Sequence, residues 1–286
     1  MRTYPILAGA ILTLVAAATP APPIPGTFAL QSRTASAMGY LLAPQIGNNS
    51  LHRHLDVWMT PIGSAAAIRS YRIDMTKLLH MIIVSDDFST FLHVHPILQP
   101  DGHFLLEQEF PSPGLYHVYA DAEPQGFGHQ VFRFDLDLGG STRATRDLSE
   151  RGTISRTGPY VVRISTDKLS TQMPTRLVVH ILEGGIPAAD LHPYLGALAH
   201  AVFLNAGNLT YVHAHPMPLS AQHSLRGSAS TGETVMKPLP ASSISSPDMQ
   251  LNVKLQQPGI YKLWLQFRGG TQLYVAPFIV TARDGG

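Results

Sequence analysis

The chain has 286 residues, a formal net charge of +1, 44% hydrophobic residues and only 14% charged ones. No basic or acidic field is available to drive binding to nucleic acid or to an anionic membrane surface. Cysteine is absent, which excludes disulfides and thiolate metal sites, while the 14 histidines rival the 20 lysines and arginines.

Arg2, the apolar residues 6–18 and the small residues Ala16, Ala17 and Ala18 read as an export signal over residues 1–18, cleaved after Ala18. The apolar run is too short to span a bilayer comfortably, and no second run approaches membrane length. The expectation is an exported protein, periplasmic or extracellular, without a membrane span after signal cleavage. Residues 19–50, rich in Pro, Ala, Gly and Ser, carry no periodic apolar pattern and are expected to form a disordered tether.

Short strands then follow, punctuated by Gly and Pro, with almost no helical periodicity. Leu55-Asp56-Val57-Trp58-Met59 alternates, residues 75–84 and 91–95 form a hairpin, and strands are expected near 104–110, 115–120 and 131–138. Gly139 to Thr153 carries Gly, Ser, Thr and alternating charge and marks a linker. A second set repeats the plan: 160–165, 177–182, a hairpin over 198–204 and 211–215, then 251–255, 260–267 and 273–280. The fold class expected is all-β, two tandem immunoglobulin-like antiparallel β-sandwich domains. The first covers residues 51–138 and the second 156–282, joined by a linker at 139–155, with a Ser-rich loop inserted at about 220–247. Pro113-Gly114-Leu115-Tyr116 and Pro258-Gly259-Ile260-Tyr261 each place a Tyr at the entry to a late strand, like the tyrosine corner of such sandwiches.

The hairpins carry the chemistry. His80, His93, His95 and Pro96 recur 120 positions later as His200, His213, His215 and Pro216, while most neighbours differ. On a strand His93 and His95 share a face, with Cα atoms about 6.5–7 Å apart. An even loop, either two residues at Asp87-Phe88 or four at Asp86 to Ser89, places His80 opposite His95 and Ile82 opposite His93, and Gly207-Asn208 in the second copy suits a two-residue turn of that parity. Three imidazoles could then converge on one ion. A three-histidine set suits Zn(II), Cu(II) or Ni(II), and of the divalent ions copper binds nitrogen sites most tightly. The opposite hairpin face, Leu79, Met81, Ile83, Leu92 and Val94, is apolar and belongs to the core. His52 and His54 are a further His-x-His pair with no counterpart in the second unit. His103, His117, His129, His180 and His192 are not repeated as histidines and read as solvated or locally bonded.

On the two stretches 78–96 with 113–119 and 194–216 with 258–265, the chain resembles bacterial exported proteins with a His-x-His-Pro sandwich repeat, broadly similar to YtkA-like and FixH-like domains. The resemblance implies the sandwich fold, export and an association with metal handling, copper especially. Ala214 replaces Val in the second motif, on the face away from the histidines.

The reading is an exported protein that binds or delivers a divalent metal, copper first and zinc second. Its ligands are His80, His93 and His95 in one repeat and His200, His213 and His215 in the other, giving two sites or one shared between domains. The expected partners are the metal ion and another exported metal-handling protein, with no nucleic acid. One rival is a scaffold or adhesion sandwich whose histidines only pack. The other is a mononuclear metalloenzyme, disfavoured because no acidic residue recurs beside the motif: Asp86 and Asp87 align with Ala206 and Gly207.

Overall fold

Alternating apolar residues fold into paired sheets in a computed structural model, which describes residues 21–30, 33–140, 145–219 and 237–284. In the first sandwich, one sheet runs β1 (Ile24–Pro25), β3 (Ala37–Leu42), β5 (Asn49–Pro61), β10 (Phe104–Glu109), β9 (Ile97–Leu98), with β4 (Gln45–Ile46) beside β5. Its mate runs β2 (Thr27–Phe28), β12 (Gln130–Asp137), β11 (Leu115–Pro124), β7 (Leu79–Ser85), β8 (Phe91–Val94), with β6 (Tyr71–Arg72) on β11. The second sandwich repeats this plan. One sheet runs β13 (Ile154–Thr157), β14 (Tyr160–Ile164), β16 (Thr175–Glu183), β22 (Asp248–Val253), β21 (Met217–Pro218), with β17 (Ile186–Pro187) beside β16. The other runs β15 (Lys168–Ser170), β24 (Gln272–Arg283), β23 (Gly259–Gly269), β19 (His200–Asn205), β20 (Tyr211–Ala214), with β18 (Leu191–His192) on β23. Among the described strands, pairing is antiparallel except between β15 and β24. The protein is thus all-β, built of two immunoglobulin-like sandwiches.

Each sandwich fills with the inward residues of its two sheets. Leu55, Val57, Met81, Ile83, Phe104, Val118 and Phe134 form the first core, and Val162, Leu177, Val179, Phe203, Leu251, Leu263 and Phe278 the second. The corner tyrosines seal the entry to β11 and β23. Tyr116 donates its hydroxyl to the carbonyl of Ser112 at 2.9 Å, and Tyr261 to that of Gln257 at 2.8 Å. The glycine before each corner has φ near +140° (Gly114 +141°, Gly259 +138°), where a Cβ is strained.

A third cluster lies between the sandwiches. Ile82, Val84, Phe88, Tyr119 and Val131 from the first pack on Val202, Leu204, Tyr211 and Trp264 from the second, all buried. The strands β7 and β19 are therefore covered on both faces, and the chain forms four stacked layers of sheet. Burying each such side chain contributes about 1.5–3 kcal/mol, so the repeats are fastened together. The contacts come in exchanged pairs: Phe91 stacks on Trp264 with centroids 5.2 Å apart, and Tyr211 stacks on Tyr119 at 4.8 Å. Such reciprocity is what a two-fold interface presents.

Several expectations need correction. In the segment expected as a tether, residues 19–50, the described residues supply β1 to β4 and the start of β5, because Ala37 and Leu41 alternate inward against β5 and reach the core. The linker also packs. Leu148 joins the inter-sandwich cluster, and Arg146 bonds the Asp86 carboxylate at 2.8 Å and the Ala206 carbonyl across the interface. Of the two alternatives for His117, solvated or locally bonded, the structure shows the second: it is 2% exposed and bridges Asp86 at 3.0 Å and Asp135 at 2.8 Å. The export signal lies outside the described residues, as does most of the Ser-rich insertion. Replacing Tyr261 with Phe removes one buried hydrogen bond and should lower unfolding stability by about 1 kcal/mol. A urea titration should show an earlier midpoint with an unchanged slope.

Candidate metal centre

Register decides which side chains meet. In the first hairpin Ile82 pairs with His93 and Met81 with Val94, so continuation of the ladder sets His80 against His95. The second hairpin pairs Val202 with His213 and Ala201 with Ala214, which sets His200 against His215. The parity is even, as the sequence suggests, but the turn is longer than Gly207-Asn208. Ser85 N–H bonds Thr90 O and Asn205 N–H bonds Thr210 O, leaving loops at 86–89 and 206–209. The Asn205 side chain accepts from the amides of Gly207 and Asn208 and so favours the wider loop.

The first triad closes tightly. His80 Nδ1 lies 3.0 Å from His93 Nε2 and 3.3 Å from His95 Nε2, and the latter two nitrogens are 3.2 Å apart. A tetrahedral ion bonded at about 2.0–2.1 Å holds its nitrogens roughly 3.3–3.4 Å apart. In the second triad His200 Nδ1 and His213 Nε2 are 3.3 Å apart, and the His215 ring centroid lies 4.8 and 4.6 Å from theirs, with its Nε2 hydrogen-bonded to neither. The triads are not remote from each other. His93 and His200 rings are 4.9 Å apart and His80 and His213 rings 5.2 Å, so all six histidines meet at the seam between the sandwiches. Donor atoms of His80, His93, His200 and His213 lie within 4.8 Å of one another, and this cluster could bind a metal ion.

Hydrogen bonds at the far side of the rings set the tautomers. His80 Nε2 faces the carbonyl of Asp74 at 3.3 Å, and His200 Nε2 that of Tyr194 at 3.0 Å. A carbonyl only accepts, so each Nε2 carries the proton and each Nδ1 turns a lone pair into the cluster. Both carbonyls sit in tight turns held by reciprocal backbone bonds, Asp74 with Lys77 and Tyr194 with Ala197. The next residue in each, Met75 and Leu195, has positive φ (53° and 50°), an uncommon conformation for a bulky side chain that recurs at the same place in both repeats.

The middle histidines are oriented across the seam. His93 Nδ1 bonds Gln266 Oε1 of the second sandwich at 2.9 Å, and His213 Nδ1 lies 3.5 Å from Asp121 Oδ2 of the first. Asp121 and Gln266 are equivalent positions, each five residues after its corner tyrosine. Asp121 is 4% exposed and also receives His129 Nε2 at 2.5 Å and the Tyr211 hydroxyl at 3.1 Å. The sequence reading missed this carboxylate because it looked for an acid beside the motif in the chain. The spacing from the tyrosine corner, which sets the register of β11 against β7, was the available signal.

Burial governs the charge state. Desolvation first, then His80, push His93 down to about 3; desolvation and His93 push His95 to about 2, and desolvation and His80 push His215 to about 4. Desolvation and neighbouring histidines hold His200 well below its usual value, and desolvation outweighs the Asp121 bond at His213 with the same result. Burial alone would raise Asp121, but His129 and His213 overturn it and hold the carboxyl well below the usual range. His93, His95, His200, His213 and His215 are therefore neutral and the nearby Asp121 carboxylate charged.

The outer residues differ. His52 lies 3.9 Å from Glu107, while His103 bonds Asp56 at 2.7 Å and His180 bonds Asp248 at 2.6 Å, each away from the cluster.

Two stacked immunoglobulin-like sandwiches with a histidine cluster at their seam define the class of protein. Within it, the chain belongs to a family described as a domain of unknown function, DUF8832, whose model matches residues 48–138 and 155–284. Comparison with curated proteins gives no match. Among solved structures, Escherichia coli alpha-2-macroglobulin activated by porcine elastase aligns at 11% identity and a TM-score of 0.24. That alignment covers 87% of this chain and 24% of the macroglobulin chain.

The depressed histidines make the metal-free protein acid-sensitive. Below the unfolded value near 6.5, the unfolded chain takes up protons that the folded one refuses until about 4, 3 and 2 at His215, His93 and His95. The thermal midpoint of chelator-treated protein should fall from about pH 7 to about pH 5, and His95→Ala should shrink that fall.

Proposed function

We propose that this is an exported protein that binds or delivers a divalent metal, copper first and zinc second, at the histidine cluster. The observation that carries the proposal is the direction of the lone pairs. His80 and His200 have spent their protons on backbone carbonyls, so nitrogens 3.0–3.3 Å apart face one another as acceptors. His215 Nε2 is likewise buried without a hydrogen-bond partner. A structural polar layer would alternate donors with acceptors, since each buried unsatisfied group costs about 1–3 kcal/mol. Bound cations would satisfy these lone pairs.

The donor set favours copper. All six groups are imidazoles, which suit copper and zinc rather than magnesium or calcium, and affinity for nitrogen sites peaks at copper in the divalent series. Export is supported by the N-terminal sequence pattern and by the resemblance to YtkA-like and FixH-like domains, which also favours copper. Delivery would require an exported metal-handling partner.

The test is elemental mass spectrometry on protein purified from the exported fraction of cells grown in metal-replete medium. Copper or zinc should accompany the wild type in stoichiometric amount and be lost from a folded His93→Ala/His95→Ala/His213→Ala/His215→Ala variant. Adding the metal at about 100 times its Kd should stabilise the wild type by about 2.7 kcal/mol. A metal-free wild type that ignores added copper and zinc would return the histidines to a packing role.

A further inference from the structure

We infer that the cluster holds two ions, one in each triad, and that the ion at His200, His213 and His215 binds first because Asp121 supports that triad from the opposite sandwich. This rests on the metal-binding reading above and adds to it the number of ions and their order.

Geometry separates the triads. His80, His93 and His95 nitrogens approach within 3.0–3.3 Å of one another, as do His200 and His213 at 3.3 Å, whereas the four inner nitrogens gather only to within 4.8 Å. A single tetrahedral ion needs every pair at about 3.4 Å. An ion shared by the four inner histidines would also abandon His95 and His215. The Nε2 of His95 touches only its own triad, and that of His215 is buried with no hydrogen-bond partner. Two ions use all six lone pairs.

The ions are not equivalent. The outer nitrogen of a metal-bound imidazole is tuned by what it donates to, and a carboxylate raises ligand basicity more than an amide does. His213 faces the Asp121 carboxylate and its counterpart His93 faces the Gln266 amide. Asp121 is buried, so it offsets the charge of the ion beside it more than the half-exposed Asp74 carboxylate, 3.8 Å from His80 Nε2, does for the other. The second ion enters against the repulsion of the first in a site shielded from water, which spreads the two affinities further.

Zinc(II), which is redox-silent, is the probe, titrated into chelator-stripped full-length protein against a chromophoric competitor. Thermal scans of each variant confirm folding. The wild type should take up two equivalents in two phases. His215→Ala should lose the tight phase, while His95→Ala should keep it and lose the weak one. Asp121→Asn should weaken the tight phase about 10–100-fold with a much smaller effect on the weak one. Combining it with Gln266→Glu should make the tight phase depend on His95 instead of His215. One equivalent, retained alike in His95→Ala and His215→Ala, would mean a single ion shared by the four inner histidines, overturning this inference while leaving metal binding intact. Two phases that respond alike to Asp121→Asn would overturn the ordering, and no uptake at all would overturn both readings.

Discussion

Everything at the centre of this molecule depends on one face-to-face contact, in which the outer surface of one hairpin sheet lies on the outer surface of the other. Ile82, Val84 and Tyr119 against Val202, Leu204 and Trp264 exclude water from the seam. That exclusion keeps the imidazoles desolvated and closely spaced. Parted into separate sandwiches, the hairpins would expose their histidines to water, and each middle histidine would lose the residue that orients it. The apolar seam and the histidine cluster are thus one device, with the strands β7 and β19 contributing to both.

The orientation of the rings is as deliberate as their position. The inward nitrogens of His80, His93, His200 and His213 are acceptors because the outward ones are committed to carbonyls, an amide or a carboxylate. Holding the carbonyls of Asp74 and Tyr194 in place requires two bulky residues, Met75 and Leu195, in a left-handed conformation. Strain of that kind, repeated at equivalent points, supports a site organised before any ligand arrives.

Much of this could be read from the chain. Alternation and the corner tyrosines gave the sandwich, and the period-two spacing of His93 and His95 with an even loop gave the triad. What stayed hidden was non-local. β7 reads as apolar on both faces, with Ile82 and Val84 opposite Met81 and Ile83, a sign of double burial. Nothing in that pattern says which surface supplies the second cover. Asp121 was invisible for a related reason: it stands far along the chain from the motif it serves, and its relevance to His213 arises only once the repeats are stacked. The segment 19–50 misled because its composition resembles a linker while its few apolar residues, among them Ala37 and Leu41, still alternate.

The reciprocal stacking of Phe91 on Trp264 and Tyr211 on Tyr119 describes a dimer whose two halves happen to share a backbone. Joining them through residues 139–155 replaces an encounter between molecules by one within a molecule, so the seam persists at any dilution. Fusion also grants a freedom that identical subunits lack. A symmetric homodimer must place the same side chain at both equivalent positions, whereas one gene encoding both halves can keep Asp121 on one side and Gln266 on the other.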